Sequence, residues 1–169
     1  MNSLKQWPRY DEMKGLLFVR DADRNANSAV DSLVDHIYRN WNIKLSKDGA
    51  IKQDADGVKI GFFIFPGQGI DGHFLDGALE DFCLDLFHDD EGGLDSPSLK
   101  SLVDSFIERL RAKRGKGFKT EHKNHLFLLL SSTDKAVGRK IGEAAKTGVF
   151  DFKNAKLEPL KKLILQMND

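Results

Sequence analysis

The chain has 169 residues, 40% hydrophobic and 31% charged, with 26 basic and 26 acidic side chains that cancel to zero net charge. That length and balance fit one domain spanning 1–169, with enough apolar residues for a core, and exclude wholesale disorder. The one cysteine, Cys83, excludes an internal disulfide and a cysteine-based zinc framework.

The opening MNSLKQWPRYDEMK has no apolar run and does not read as a secretory signal. No stretch approaches the roughly 18 apolar residues of a membrane span. The expected setting is therefore the cytoplasm, with no membrane partner. Ser3 to Met13 reads as a short helix limited by Pro8. Gly15-Leu16-Leu17-Phe18-Val19 is a continuous apolar run, the pattern of a strand buried on both faces in a parallel sheet. After a polar stretch, Ser28 and Asp31 have capping-box spacing. Ala29, Val30, Leu33, Val34, Ile37 and Trp41 follow at helical intervals, predicting an amphipathic helix over Ser28–Trp41.

Asp54 to Gly57 is a turn, and VKIGFFIF (Val58–Phe65) is a second strand, ended by Pro66-Gly67. A flexible glycine-rich loop runs to Gly77, and Leu79, Phe82, Cys83, Leu86 and Phe87 mark the next helix. Asp89–Asp95 forms an acidic linker. Ser96 before Pro97 predicts an N-cap and first helical residue for a helix through Lys113. Arg114–Lys119 is a basic connector. Helices are expected over His122–Ser131, Val137–Lys146 and Leu157–Met167, with Val149–Phe152 as a short extended anchor. Strand, polar loop and helix in this order predict an α/β fold: a central, mostly parallel sheet flanked by helices, with a helical second half.

The neutral total hides an asymmetry: 10 basic and 18 acidic residues precede the break after Asp95, and 16 and 8 follow it. An acidic site beside a basic surface suits a metal-dependent enzyme acting on phosphates; mutual attraction of the halves is the plainer explanation.

Arg20-Asp21-Ala22-Asp23 lies at the carboxyl end of the first strand, where open α/β sheets bind ligands. Two carboxylates one residue apart offer the hard oxygen ligands that Mg²⁺ takes along with water and phosphate oxygens; the alternative is that they cap and solvate the loop. An EF-hand is excluded, because Ala26 stands at the glycine position and Ser32 at the final acid position. Glu80, after the glycine loop, approaches Asp21 and Asp23 if the two strands are parallel neighbours; its structural role is to favour the helix start. Gly67, Gly69 and Gly72 match neither a Walker A nor a dinucleotide fingerprint. His73 is the one histidine near these residues. Arg109, Arg111, Lys113, Arg114, Lys116, Lys119 and Lys123 form a basic run, read first as a solvated face and second as a phosphate-backbone contact. Cys83 lies on an apolar face and reads as core.

The strand ending in Arg20-Asp21-Ala22-Asp23, the strand ending in Phe65-Pro66-Gly67, and the Leu79-Glu80-Asp81-Phe82-Cys83-Leu84 helix occur in that order. Gly142-Glu143-Ala144-Ala145-Lys146 and Val149-Phe150-Asp151-Phe152 complete the series. Together they resemble an uncharacterised bacterial and archaeal family related to TOPRIM-like domains, the fold of topoisomerases, primases and overcoming-lysogenization-defect nucleases. The resemblance covers nearly the whole chain. It implies a TOPRIM-like domain that binds Mg²⁺ (or Mn²⁺) and acts on or binds nucleic-acid phosphodiesters. The metal-binding and catalytic acids it implies are Asp21 and Asp23, with Glu80 as a further acidic ligand.

The chain departs from that pattern ahead of the first strand, where such domains carry a strand with a catalytic glutamate. About twenty residues precede Asp21, and they read as a helix holding Glu12. The departure supports an alternative: a non-catalytic TOPRIM-like scaffold binding a partner protein or nucleotide. A homo-oligomer or a partner chain supplying the missing part is also compatible with the sequence.

Overall fold

The computed structural model describes residues 6, 8–69, 71–89, 97–115 and 121–168. In chain order the elements are β1 (Gly15–Asp21), α1 (Ala26–Trp41), β2 (Lys52–Gln53), β3 (Lys59–Phe65), α2 (Leu79–Leu86), α3 (Leu99–Arg114), α4 (Glu121–Ser131), α5 (Ile141–Ala144) and α6 (Glu158–Asn168). The fold is α/β, as the strand–loop–helix order predicts. The residues form two compact units, Met1–Leu79 with Ala155–Asp169, and Glu80–Asn154.

The first unit holds a small mixed sheet in the order β1-β3-β2. β1 and β3 pair in parallel, from Gly15 opposite Lys59 to Asp21 opposite Phe65, while the short β2 pairs antiparallel to β3. The antiparallel pairing follows from the turn at Asp54–Gly57. There the Asp54 carboxylate accepts from the N–H groups of Asp56 and Val58, both at 2.9 Å, and Gly57 takes φ 88°.

Side chains alternate across a strand, so each sheet face has its own packing. Ile60, Phe62 and Ile64 join Val30, Leu33, Val34 and Ile37 of α1 in one buried cluster, with the half-buried Leu16 and Phe18 packed against it. Phe18 and Trp41 close its rim with ring centroids 4.9 Å apart. Ile37, Ile60, Phe62 and Ile64 are almost wholly withdrawn from solvent, each stabilising the unit by about 1.5–3 kcal/mol relative to exposure. On the opposite face two glycines admit α6. A Cβ on Gly15 would lie 3.1 Å from the Met167 carbonyl oxygen, and one on Gly61 would lie 3.4 Å from Leu163.

α1 begins at Ala26 rather than Ser28, because Asn25 is its N-cap. The Asn25 side-chain oxygen accepts from the Ser28 N–H at 2.9 Å, so Ser28 is the residue that is capped. A second oxygen, Asp76 Oδ1, accepts from the Ala26 N–H at 2.7 Å.

The second unit is helical, as the sequence predicts for this half. α3 starts at Leu99 with Ser98 as its N-cap, accepting from the Ser101 N–H at 3.2 Å. The predicted cap, Ser96, lies outside the described residues, as do 90–95 of the acidic linker, 116–119 of the basic connector and much of the predicted Ser3–Met13 helix. Within that helix Tyr10–Glu12 form a 3-10 turn. Arg111 on α3 bonds Glu121 on α4 through Nε at 3.0 Å and also pairs with Glu108. The Val137–Lys146 helix shortens to α5 and a 3-10 turn at Ala145–Thr147, because Gly138 adopts a left-handed φ of 69° and Gly142 favours the helix weakly. The extended anchor is present as an antiparallel bridge between Phe87 and Phe150, with the His88 N–H donating to the Val149 carbonyl at 2.8 Å.

Candidate functional site

The carboxyl ends of β1 and β3 lie side by side because the pairing is parallel and in register to the last residue of each strand, Asp21 opposite Phe65. One step beyond, the Ala22 N–H donates to the Phe65 carbonyl at 2.9 Å, extending the ladder into the loop. Phe65–Pro66 is cis.

The loop after Pro66 is tied down, contrary to the expected flexible segment. Gln68 bridges Phe74, the Leu75 N–H donates to the Gly67 carbonyl at 2.9 Å, and Phe74 packs against Phe62 at 5.7 Å. The chain then runs antiparallel to the end of β1. Asp23 and Gly77 exchange both backbone hydrogen bonds, at 2.7 and 2.8 Å. Gly67 and Gly72 serve this path through left-handed φ values of 114° and 78°.

Asp21 is half-buried, and its Oδ1 accepts from the Leu79 N–H at 2.9 Å, where α2 begins. Asp23 is exposed and holds φ 55°, a left-handed conformation that aspartate tolerates better than most side chains. Such a conformation costs energy and persists where surrounding bonds impose it, here the paired hydrogen bonds to Gly77. Asp76, inside the glycine loop, brings a third carboxylate to this segment by capping α1. Its signal in the sequence was weak: an aspartate before Gly77 reads as turn chemistry.

Glu80 belongs to the second unit. There its carboxylate is largely shielded, 16% exposed, and faces the Lys123 ammonium at 3.6 Å. Among the described residues no three His, Cys, Asp or Glu side chains are grouped as a metal site. Asp21 and Asp23 are nevertheless a donor set that suits Mg²⁺, which takes one or two carboxylates and fills its remaining positions with water and phosphate oxygens. Capping engages only Oδ1 of Asp21.

His73 is exposed, and its backbone N–H is held by the Asp71 carboxylate at 3.1 Å. It lines a groove of about 450 Å³ with Asp48 and the ion pair Lys47–Asp31, closed at 2.6 Å. Of the basic run, Arg111 and Lys123 are in ion pairs, and Lys116 and Lys119 lie outside the described residues. Cys83 is buried as expected, and burial with the nearby Glu80 carboxylate pushes its thiol up to about 12.

A model of the DUF3226 family, described as a protein of unknown function, matches residues 2–168. The chain belongs to this family. The match spans both units and takes in Asp21, Asp23 and Glu80. No curated protein and no solved structure matches the chain. No helix among the described residues is long and apolar enough to cross a membrane.

Proposed function

We propose that this DUF3226 protein is a TOPRIM-like, Mg²⁺-binding domain acting on or binding nucleic-acid phosphodiesters. The observation that carries this reading is the position of Asp21 and Asp23 at the carboxyl end of β1, paired in parallel with β3. Strand ends in open α/β sheets are where loops gather ligand-binding side chains, and the resemblance drawn from the sequence supports the same pair. Asp21 and Asp23 would hold the ion. A bound Mg²⁺ would stabilise charge on a phosphate and help to activate water. The left-handed backbone at Asp23 is the kind of local strain that accompanies functional loops. Glu80, engaged with Lys123, stands outside this reading.

The test is cleavage of single- and double-stranded DNA and RNA in Mg²⁺ or Mn²⁺, with the Asp21→Asn/Asp23→Asn variant as control. Asparagine is well suited here: its side-chain oxygen still accepts from the Leu79 N–H, and it tolerates a left-handed φ. The expected result is metal-dependent cleavage lost in the variant. Cleavage of equal rate by the variant contradicts the role of the pair.

A second reading, a non-catalytic domain that binds a partner protein or nucleotide, is favoured by one feature. Asp21 and Asp76 both already serve the backbone, at the Leu79 and Ala26 N–H groups. Metal binding without cleavage of any nucleic acid by the folded protein would favour it.

A further inference from the structure

The second unit has a groove of its own, about 530 Å³ in volume, within the roughly 300–1,000 Å³ range of small-molecule sites. One wall is a single face of α4, where Lys123, Leu126, Phe127 and Leu130 recur at helical spacing. The other wall is the segment from Gly138 to Gly142 that leads into α5.

Three properties of these walls point to one ligand chemistry. The apolar part combines two buried residues, Leu126 and Leu130, with Phe127, which is 65% exposed. An exposed aromatic ring beside an aliphatic lining offers a stacking platform to a flat heterocycle. Arg139 and Lys140 from the facing segment are exposed, and neither is in an ion pair among the described residues. The nearby Glu143 carboxylate is turned to the Lys140 backbone N–H at 3.2 Å. Finally, the pair of Glu80 and Lys123 supplies an acceptor beside donors, as the polar edge of a base requires and an acyl chain does not. A Cβ at Gly138 or Gly142 would meet nothing within 4 Å, so bare backbone lies open along this wall.

We infer that this groove binds a nucleoside phosphate, with the base on Phe127 and the phosphates at Arg139 and Lys140. The site is independent of Asp21 and Asp23, and its occupancy requires no metal there. Charge-assisted hydrogen bonds from a guanidinium and an ammonium are the stronger class of polar contact, so the phosphates carry a large share of the affinity.

The experiment is a fluorescence titration of the full chain with N-methylanthraniloyl-ADP (mant-ADP). The expected result is saturable binding, weakened about tenfold or more by Arg139→Gln/Lys140→Gln and by Phe127→Ala. All three side chains are exposed, so circular dichroism should be unchanged in both variants. Mant-adenosine, which lacks the phosphates, should bind about tenfold or more weakly. The Asp21→Asn/Asp23→Asn variant should bind mant-ADP like the wild type whether or not the metal reading holds. Absence of saturable binding by folded wild-type protein overturns the inference. So does undiminished binding in either groove variant, equal binding of mant-adenosine, or loss of binding confined to the Asp21/Asp23 variant.

Discussion

At the end of β1 the carboxylates are woven into the backbone: Asp21 accepts from Leu79, and Asp76 from Ala26. In the helical unit, by contrast, Arg139 and Lys140 reach solvent with no ion-pair partner among the described residues. The same chemical class of residue thus has two kinds of employment. A charge that closes a helix start contributes to stability whether or not a ligand arrives, whereas an unengaged charge beside an apolar groove contributes nothing until something binds. Substitutions should separate these roles, because only the first kind registers in the unfolding of the free protein.

The largest effect is expected where neither kind of charge is involved. Phe62, 1% exposed at the centre of the sheet unit, should cost about 3–5 kcal/mol when truncated to alanine, read by urea denaturation. A loss under about 1 kcal/mol would contradict close packing of this core. Gly15→Val comes next. Its added carbons meet the Met167 and Lys59 backbone at 3.1 and 3.3 Å, and forcing α6 off β1 should cost about 1–3 kcal/mol.

The contrast between the charges is sharpened by a matched set. Asp21→Ala removes the acceptor for the Leu79 N–H and should lower stability by about 0.5–2 kcal/mol, whereas Asp21→Asn keeps the acceptor and should restore most of that loss. Arg139→Gln/Lys140→Gln should stay within about 0.5 kcal/mol of wild type. Equal effects of the two neutralised regions would break the contrast.

The smallest effect concerns Cys83. Its thiol is pushed up to about 12 by burial, so the folded protein should resist thiol-labelling reagents at pH 8 and react on unfolding. Because the folded value exceeds the unfolded one, the contribution of this group to stability is present in full below about pH 9. It declines as pH rises toward 12. Rapid labelling of the native protein at pH 8 would contradict the burial.

The two long strands were legible because continuous apolar runs, five residues at Gly15–Val19 and six at Ile60–Phe65, bounded by charges and by Pro-Gly, have few other uses. The register that brings Asp21 beside Phe65 was not, since it depends on which residues pair and no local pattern encodes that. α1 was legible in its apolar stripe but two residues late at its start, because asparagine and serine are both residue types that favour the N-cap and only the folded loop decides that Asn25 takes it. Asp76 escaped notice for a related reason: it caps a helix fifty positions away in sequence. In the second unit helical periodicity marked the long helices. The groove was hidden because its second wall is a short segment, Gly138–Gly142, read as part of a helix.

The most direct test of the central claim is calorimetric titration of the full chain with Mn²⁺ and Mg²⁺, wild type beside Asp21→Asn/Asp23→Asn. The proposal predicts saturable binding to the wild type that disappears in the variant while its denaturation curve stays close to that of the parent. Folded wild-type protein that takes up no ion, or a variant that binds as well as the parent, would contradict it.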